Sequence, residues 1–163
     1  MSYPLDAFVK CNPDGAKPGS LLKVRDMWAL KVQRQEGDRQ AREEMLILHG
    51  PNSGKMGLAP NGEAVTIADP YDWQIFVEAI DGDRNSNTWP AVSIGTEDPV
   101  IHGHHWDDPL EAEAATITGE RVQVNGVQQY LPNFSVWLVA PNGRQLGDAP
   151  LFSVYSPARQ PRA

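Results

Sequence analysis

Residues 28–34, Trp28-Ala29-Leu30-Lys31-Val32-Gln33-Arg34, carry apolar side chains at alternate positions. Period 2 is the repeat of a β-strand, whose successive Cβ atoms point to opposite faces; a helix would need apolar spacings of three and four. The same reading extends outward, to Met45–His49, Ala64–Ala68, Gln74–Ile80 and Ala91–Ile94, then to Arg121–Val124, Ser135–Val139 and Leu151–Tyr155. Turn signals separate these runs: Asn12-Pro13-Asp14-Gly15, Gly50-Pro51-Asn52-Ser53-Gly54, Pro60-Asn61-Gly62, Asp81-Gly82, Asn125-Gly126 and Pro141-Asn142-Gly143. Gly and Asn tolerate the positive φ that tight turns demand, and Pro presets the preceding turn position. Short strands punctuated in this way predict an all-β fold, an antiparallel sandwich or a small barrel with at most one or two short helices.

The chain has 163 residues, which suits one hydrophobic core. Residues 1–155 read as a single β-rich domain. Ser156–Ala163, interrupted by Pro157 and Pro161 and carrying Arg159 and Arg162, reads as a flexible tail. With 21 acidic and 14 basic residues the net charge is −7, which disfavours a phosphate-binding surface, so no nucleic-acid partner is expected. The single cysteine, Cys11, excludes an internal disulfide and a Cys-based zinc cluster. The N-terminus lacks the basic-then-apolar pattern of a secretory signal peptide, and no run approaches the roughly 20 apolar residues of a membrane helix. The expected setting is cytoplasmic or a virion, with no membrane contact.

Two segments depart from strand patterning. Asp38–Leu46 is made largely of helix formers but runs into the strand-like Met45–His49. Asp108-Pro109-Leu110-Glu111 has the signature of a helix start, with Asp as N-cap, Pro in the first turn and Glu at the third position; Gly119 would end that helix. The turn Leu58-Ala59-Pro60-Asn61-Gly62 is echoed by Val139-Ala140-Pro141-Asn142-Gly143, but the flanking residues do not align.

Several segments invite a chemical reading. Gly50–Met56 has three residues between its glycines where a phosphate-binding loop needs four, and Met56 stands where that loop has Ser or Thr, so it is read as a plain turn. Asp81–Asn87 alternates oxygen-bearing side chains but offers Val92 where a calcium loop needs a bidentate Glu; it reads as a polar hairpin loop. No Gly-x-Ser-x-Gly elbow is present, and no His lies close to Cys11.

His102-Gly103-His104-His105-Trp106-Asp107-Asp108 holds three of the four His. On a strand His102 and His104 share a face, and Glu111 supplies an oxygen, a mixed set suited to a divalent metal. The pair resembles the first motif of the cupin family, small β-barrels in which His-x-His is followed by a Glu and a third His. The resemblance implies metal-dependent chemistry at His102, His104 and Glu111. This chain departs from the pattern, because Glu111 is distant and no His follows His105. The closing stretch, Asn133–Val139 with Asn142–Gly147, resembles the last hairpin of the PixA/AidA inclusion-body proteins, which are β-sandwiches. That family's Gly-Asp and Trp-Asp-Pro signatures are missing here, and no site follows from the likeness.

Among the tryptophans, Trp28 and Trp137 lie within alternating strands and are expected in the core. Trp73, Trp89 and Trp106 stand beside turns and are the candidate binding residues. Taken together, the residues point to a non-enzymatic binding or structural module without a cofactor, acting through self-association or a protein partner as virus-particle components do. The alternatives are the cupin-like metal enzyme and a small-ligand or carbohydrate binder.

Overall fold

The structure is a computed structural model that describes residues 3–33, 44–59, 62–80, 89–94, 98–123 and 129–155. Its strands are β1 (Phe8–Cys11), β2 (Leu21–Val24), β3 (Met27–Val32), β4 (Glu44–His49), β5 (Lys55–Leu58) and β6 (Ala64–Ile67). They are followed by β7 (Asp72–Val77), β8 (Ala91–Ser93), β9 (Val100–His105), β10 (Ala112–Thr116), β11 (Phe134–Val139) and β12 (Phe152–Val154). The only helical elements among the described residues are two short 3-10 turns, Leu5–Ala7 and Pro13–Gly15.

Nine strands form one sheet in the order β1-β6-β2-β3-β4-β5-β9-β10, with β8 also paired to β9; three form a second sheet, β12-β11-β7. Among the described residues the larger sheet runs from β1 to β10 without those two strands pairing, so it does not close and the barrel alternative gives way to a sandwich. All pairings are antiparallel except β5 with β9, which run parallel through Lys55↔His104 and Met56↔His105. One edge of β9 is occupied along its length by β10, and the other is shared between β8 and β5.

Alternation in β3 explains the main core. Leu30 and Val32 face the second sheet and meet Leu46 and Leu48 of β4, Ile101 of β9, Phe134 and Val136 of β11, and Phe152 and Val154 of β12. Trp28 stacks on Phe152 across the sandwich, 5.7 Å between ring centroids. The opposite face of β3 is also covered: Ala29 packs with Met45 and Ile47, and Lys31 is 0% exposed. The Lys31 ammonium donates to the carbonyls of Pro13 and Asp14, which close the first polar turn over the sheet. A lysine at a polar position of the alternation is therefore a buried anchor and not a solvated residue.

Two sequence expectations are corrected. The helix predicted from Asp108 is the turn of the β9–β10 hairpin. Asp108 Oδ1 accepts from Leu110 N at 2.9 Å, Glu111 N donates to Asp108 O at 3.1 Å, and Ala112–Thr116 continues as a strand. Asp and Pro serve a tight turn as readily as a helix cap, and pairing with β9 decides between them. Trp137, expected in the core, faces outward on the small sheet, edge-to-face with Phe76 at 6.5 Å. Of the strand predicted at Arg121–Val124, the described residues 121–123 join β10 through the bridge Ala115↔Arg121 and the Val122 N bond to Ala114 O, and Val124 lies outside the described residues. The tail Ser156–Ala163, the Asp81–Asn87 loop and most of the Asp38–Leu46 run lie outside the described residues.

Candidate functional site

The hairpin β9–β10 carries the candidate site at one end of the large sheet. Its turn is built from local hydrogen bonds: Asp108 N donates to His105 O at 3.3 Å, and Asp107 N to His105 Nδ1 at 3.2 Å. His105 is thus held by the loop that follows it. Gly103 lets β9 lie close to the β4–β5 turn; a Cβ there would meet the Gly54 carbonyl oxygen at 2.3 Å and Leu46 Cδ1 at 2.7 Å. Only glycine permits this approach.

Beside the hairpin opens a polar cleft of about 720 Å³. His102 and Gly103 of β9, with Ala112, Glu113 and Ala114 of β10, form its base. Trp89 and Tyr130 make an aromatic wall, and Glu44, Arg121, Val122 and Gln123 line the other side; His105 and Glu111 stand at the mouth. Tyr130 stands perpendicular to both Trp89 and His102, with centroids 5.1 and 5.0 Å away, and Trp89 lies 6.2 Å from His102. These rings touch one another, so the wall is a preformed surface.

Three charged groups of the cleft, Arg121, Glu113 and Glu44, are paired. Arg121 Nη2 donates to Glu113 Oε2 at 2.8 Å, and Nη1 donates to Glu44 Oε2. Burial pushes the Glu113 carboxyl above its ordinary value, against the pull of the Arg121 guanidinium; Glu44 and Glu111 add to the upward push. Three carboxylates and one guanidinium line the cleft, a net negative balance that disfavours an anion.

His102 is bound to Ser93: Oγ and Nε2 lie 2.6 Å apart across β8 and β9. A serine hydroxyl on an imidazole is the arrangement of nucleophilic catalysis, and the chain separates these two residues by only one strand pair. Here it is built as an internal pin. Ser93 is 5% and His102 4% exposed, Ser93 does not line the cleft, and burial drives the His102 pKa down to about 4. Among the described residues no carboxylate hydrogen-bonds to this ring to orient it, as a triad would require.

The sequence candidates separate in space. His102 faces the cleft base, whereas His104 does not line the cleft and its Nδ1 is 2.9 Å from the His105 carbonyl oxygen. Glu111, exposed in the hairpin turn, sits nearest His105, its carbonyl accepting from His105 N at 2.8 Å. No group of three His, Cys, Asp or Glu able to hold a metal ion exists among the described residues. Of the three tryptophans, Trp89 lines the cleft. Trp106, 37% exposed, instead lies under the Lys55 ammonium, 5.3 Å from its ring, and Trp73 donates from Nε1 to the Gly19 carbonyl at 3.1 Å, well along the sheet. Ser93, Tyr130, Glu113 and Arg121 were not singled out by the sequence, because nothing local marks residues that only strand pairing brings together. No family model matches this chain, and no curated protein or solved structure matches it.

Proposed function

We propose that the chain is a non-enzymatic, all-β binding module, and that the cleft beside β9 and β10 takes a small neutral ligand rich in hydroxyls, of the carbohydrate class. One observation carries this reading: the reactive groups at the base of the cleft are already joined, leaving only His105 and Glu111 at its mouth. Arg121 spans Glu44 and Glu113, and His102 is held by Ser93, so the base of the cleft offers hydrogen-bonding edges and an aromatic surface. Fixed carboxylate and guanidinium edges match vicinal hydroxyls, and Trp89 with Tyr130 supplies the apolar face against which sugar C–H groups stack. The acidic excess speaks against nucleotides and other anions.

The test is a titration of the ¹⁵N-labelled chain with a panel of neutral oligosaccharides. A binding member should shift the Trp89 indole and Gly103 amide signals, and W89A should remove the shifts while leaving the remaining spectrum folded. Shifts that persist in W89A, or no shifts with any saccharide at millimolar concentration, would overturn the ligand class.

A further inference from the structure

Among the described residues β7 is the outer strand of the small sheet, paired on one side only. Its register with β11 fixes which backbone groups are spent. Glu78 N donates to Asn133 O at 2.9 Å, and the residues opposite Trp73 and Ile75, Leu138 and Val136, direct their carbonyls to the far side, where they accept from Leu146 and Leu151. In an antiparallel ladder hydrogen-bonded and non-hydrogen-bonded pairs alternate. Asp72, Gln74 and Phe76 therefore bond to β11, while Trp73, Ile75 and Val77 aim their N–H and C=O groups outward. Asp72 Oδ1 accepts from Trp73 N at 2.8 Å. Among the described residues no backbone group pairs with the outward groups of Ile75 and Val77.

The side chains agree. On β11 the inward residues Phe134, Val136 and Leu138 are fully buried, but on β7 the inward Trp73, Ile75 and Val77 are only partly buried, so the core seam is less completely covered along this edge. Natural sheets blunt such edges with Lys, Pro or a bulge, and Asp72-Trp73-Gln74-Ile75-Phe76-Val77 has none of these.

We propose that β7 pairs with β7 of a second copy of this chain, antiparallel about a two-fold axis through Phe76. Self-complementarity selects both partner and register. Setting Ile75 opposite Val77 of the other copy pairs all four outward groups of Ile75 and Val77 on each strand. It places Phe76 against Phe76 in a close non-hydrogen-bonded pair and sets the Gln74 amide opposite the Glu78 carboxylate. Ile75 and Val77 of the two copies then cover each other and extend the seam. Shifting so that Ile75 faces Ile75 sets Asp72 against Glu78 at both ends, a like-charge pairing, and asks the Trp73 N–H to leave Asp72. The opposite shift, with Val77 facing Val77, puts Phe76 against Glu78 and runs into the bend after Val77. The pairing is independent of the cleft reading.

Crosslinking the full chain tests the register. Non-hydrogen-bonded partners have Cα atoms about 4.5 Å apart, within disulfide reach. In a C11S background, F76C should form a disulfide dimer under mild oxidation far faster than Q74C or I80C, the latter at a residue 83% exposed. V77P removes the outward N–H without touching the ladder to β11, so it should leave monomer folding intact while weakening dimerisation about tenfold through two lost hydrogen bonds. A wild type that stays monomeric by light scattering at high concentration overturns the proposal. So does a dimer in which F76C crosslinks no faster than I80C and V77P has no effect.

Discussion

His102 shows how one buried side chain sets the acid limit of the fold. Its pKa of about 4 lies below the ordinary imidazole value of 6.5, because the charged ring would lose its water. Between these values the unfolded chain binds the proton and the folded chain does not. Stability therefore rises with pH across that window and is lost as pH falls through it, by about 3 kcal/mol in all. His49, pushed down by burial and then by Lys23, adds a contribution of the same sign. Urea unfolding from pH 7 to pH 4 should show this slope, and H102Q, which cannot titrate there, should flatten it. An unchanged slope in H102Q would place the acid sensitivity elsewhere.

The β9–β10 hairpin is fastened at the scale of elements by Arg121, which ties Glu113 of β10 to Glu44 of β4. R121Q leaves these carboxylates facing each other with Glu111 nearby. We expect it to destabilise the fold by about 1–2 kcal/mol at pH 7, discounted because all three side chains are partly in contact with water. The sign with pH is opposite to that of His102. The Glu113 pKa is already raised, and losing the guanidinium raises it further. A carboxyl with a raised folded pKa favours the fold while protonated, and that benefit is lost as pH rises through it. The R121Q deficit should thus shrink on acidification to pH 4.5 in paired denaturation curves, whereas a deficit independent of pH would mean that Arg121 acts through packing alone.

At the scale of the whole molecule, the two sheets share one core and should unfold together. Phe152 of the small sheet is stacked on Trp28 and packed against His49 of the large one. F152A should cost about 3–5 kcal/mol, the range for emptying a buried aromatic site. Both F152A and the wild type should keep a single transition in which far-UV circular dichroism and tryptophan fluorescence coincide. Separate transitions would show that the small sheet folds on its own.

The all-β class was legible because strand periodicity and turn chemistry are local. Leu30 and Val32 carry their inward orientation in the alternation itself, and Asn12–Gly15 and Pro141–Gly143 carry their turns in their residue types. Asp108-Pro109 was read as a helix start, but the same residue types serve a hairpin turn, and pairing with β9 decided for the turn. Trp137 had the right parity for a strand, but which parity faces the core depends on where the second sheet lies. The cleft was the least legible part. Ser93 and His102, or Glu44, Glu113 and Arg121, meet only because strand order brings β4, β8, β9 and β10 together. Local propensity and periodicity determined the strands and most turns; burial, register and non-local pairing, which require the whole chain to be in place, decided the open sheets, the site and the free edge.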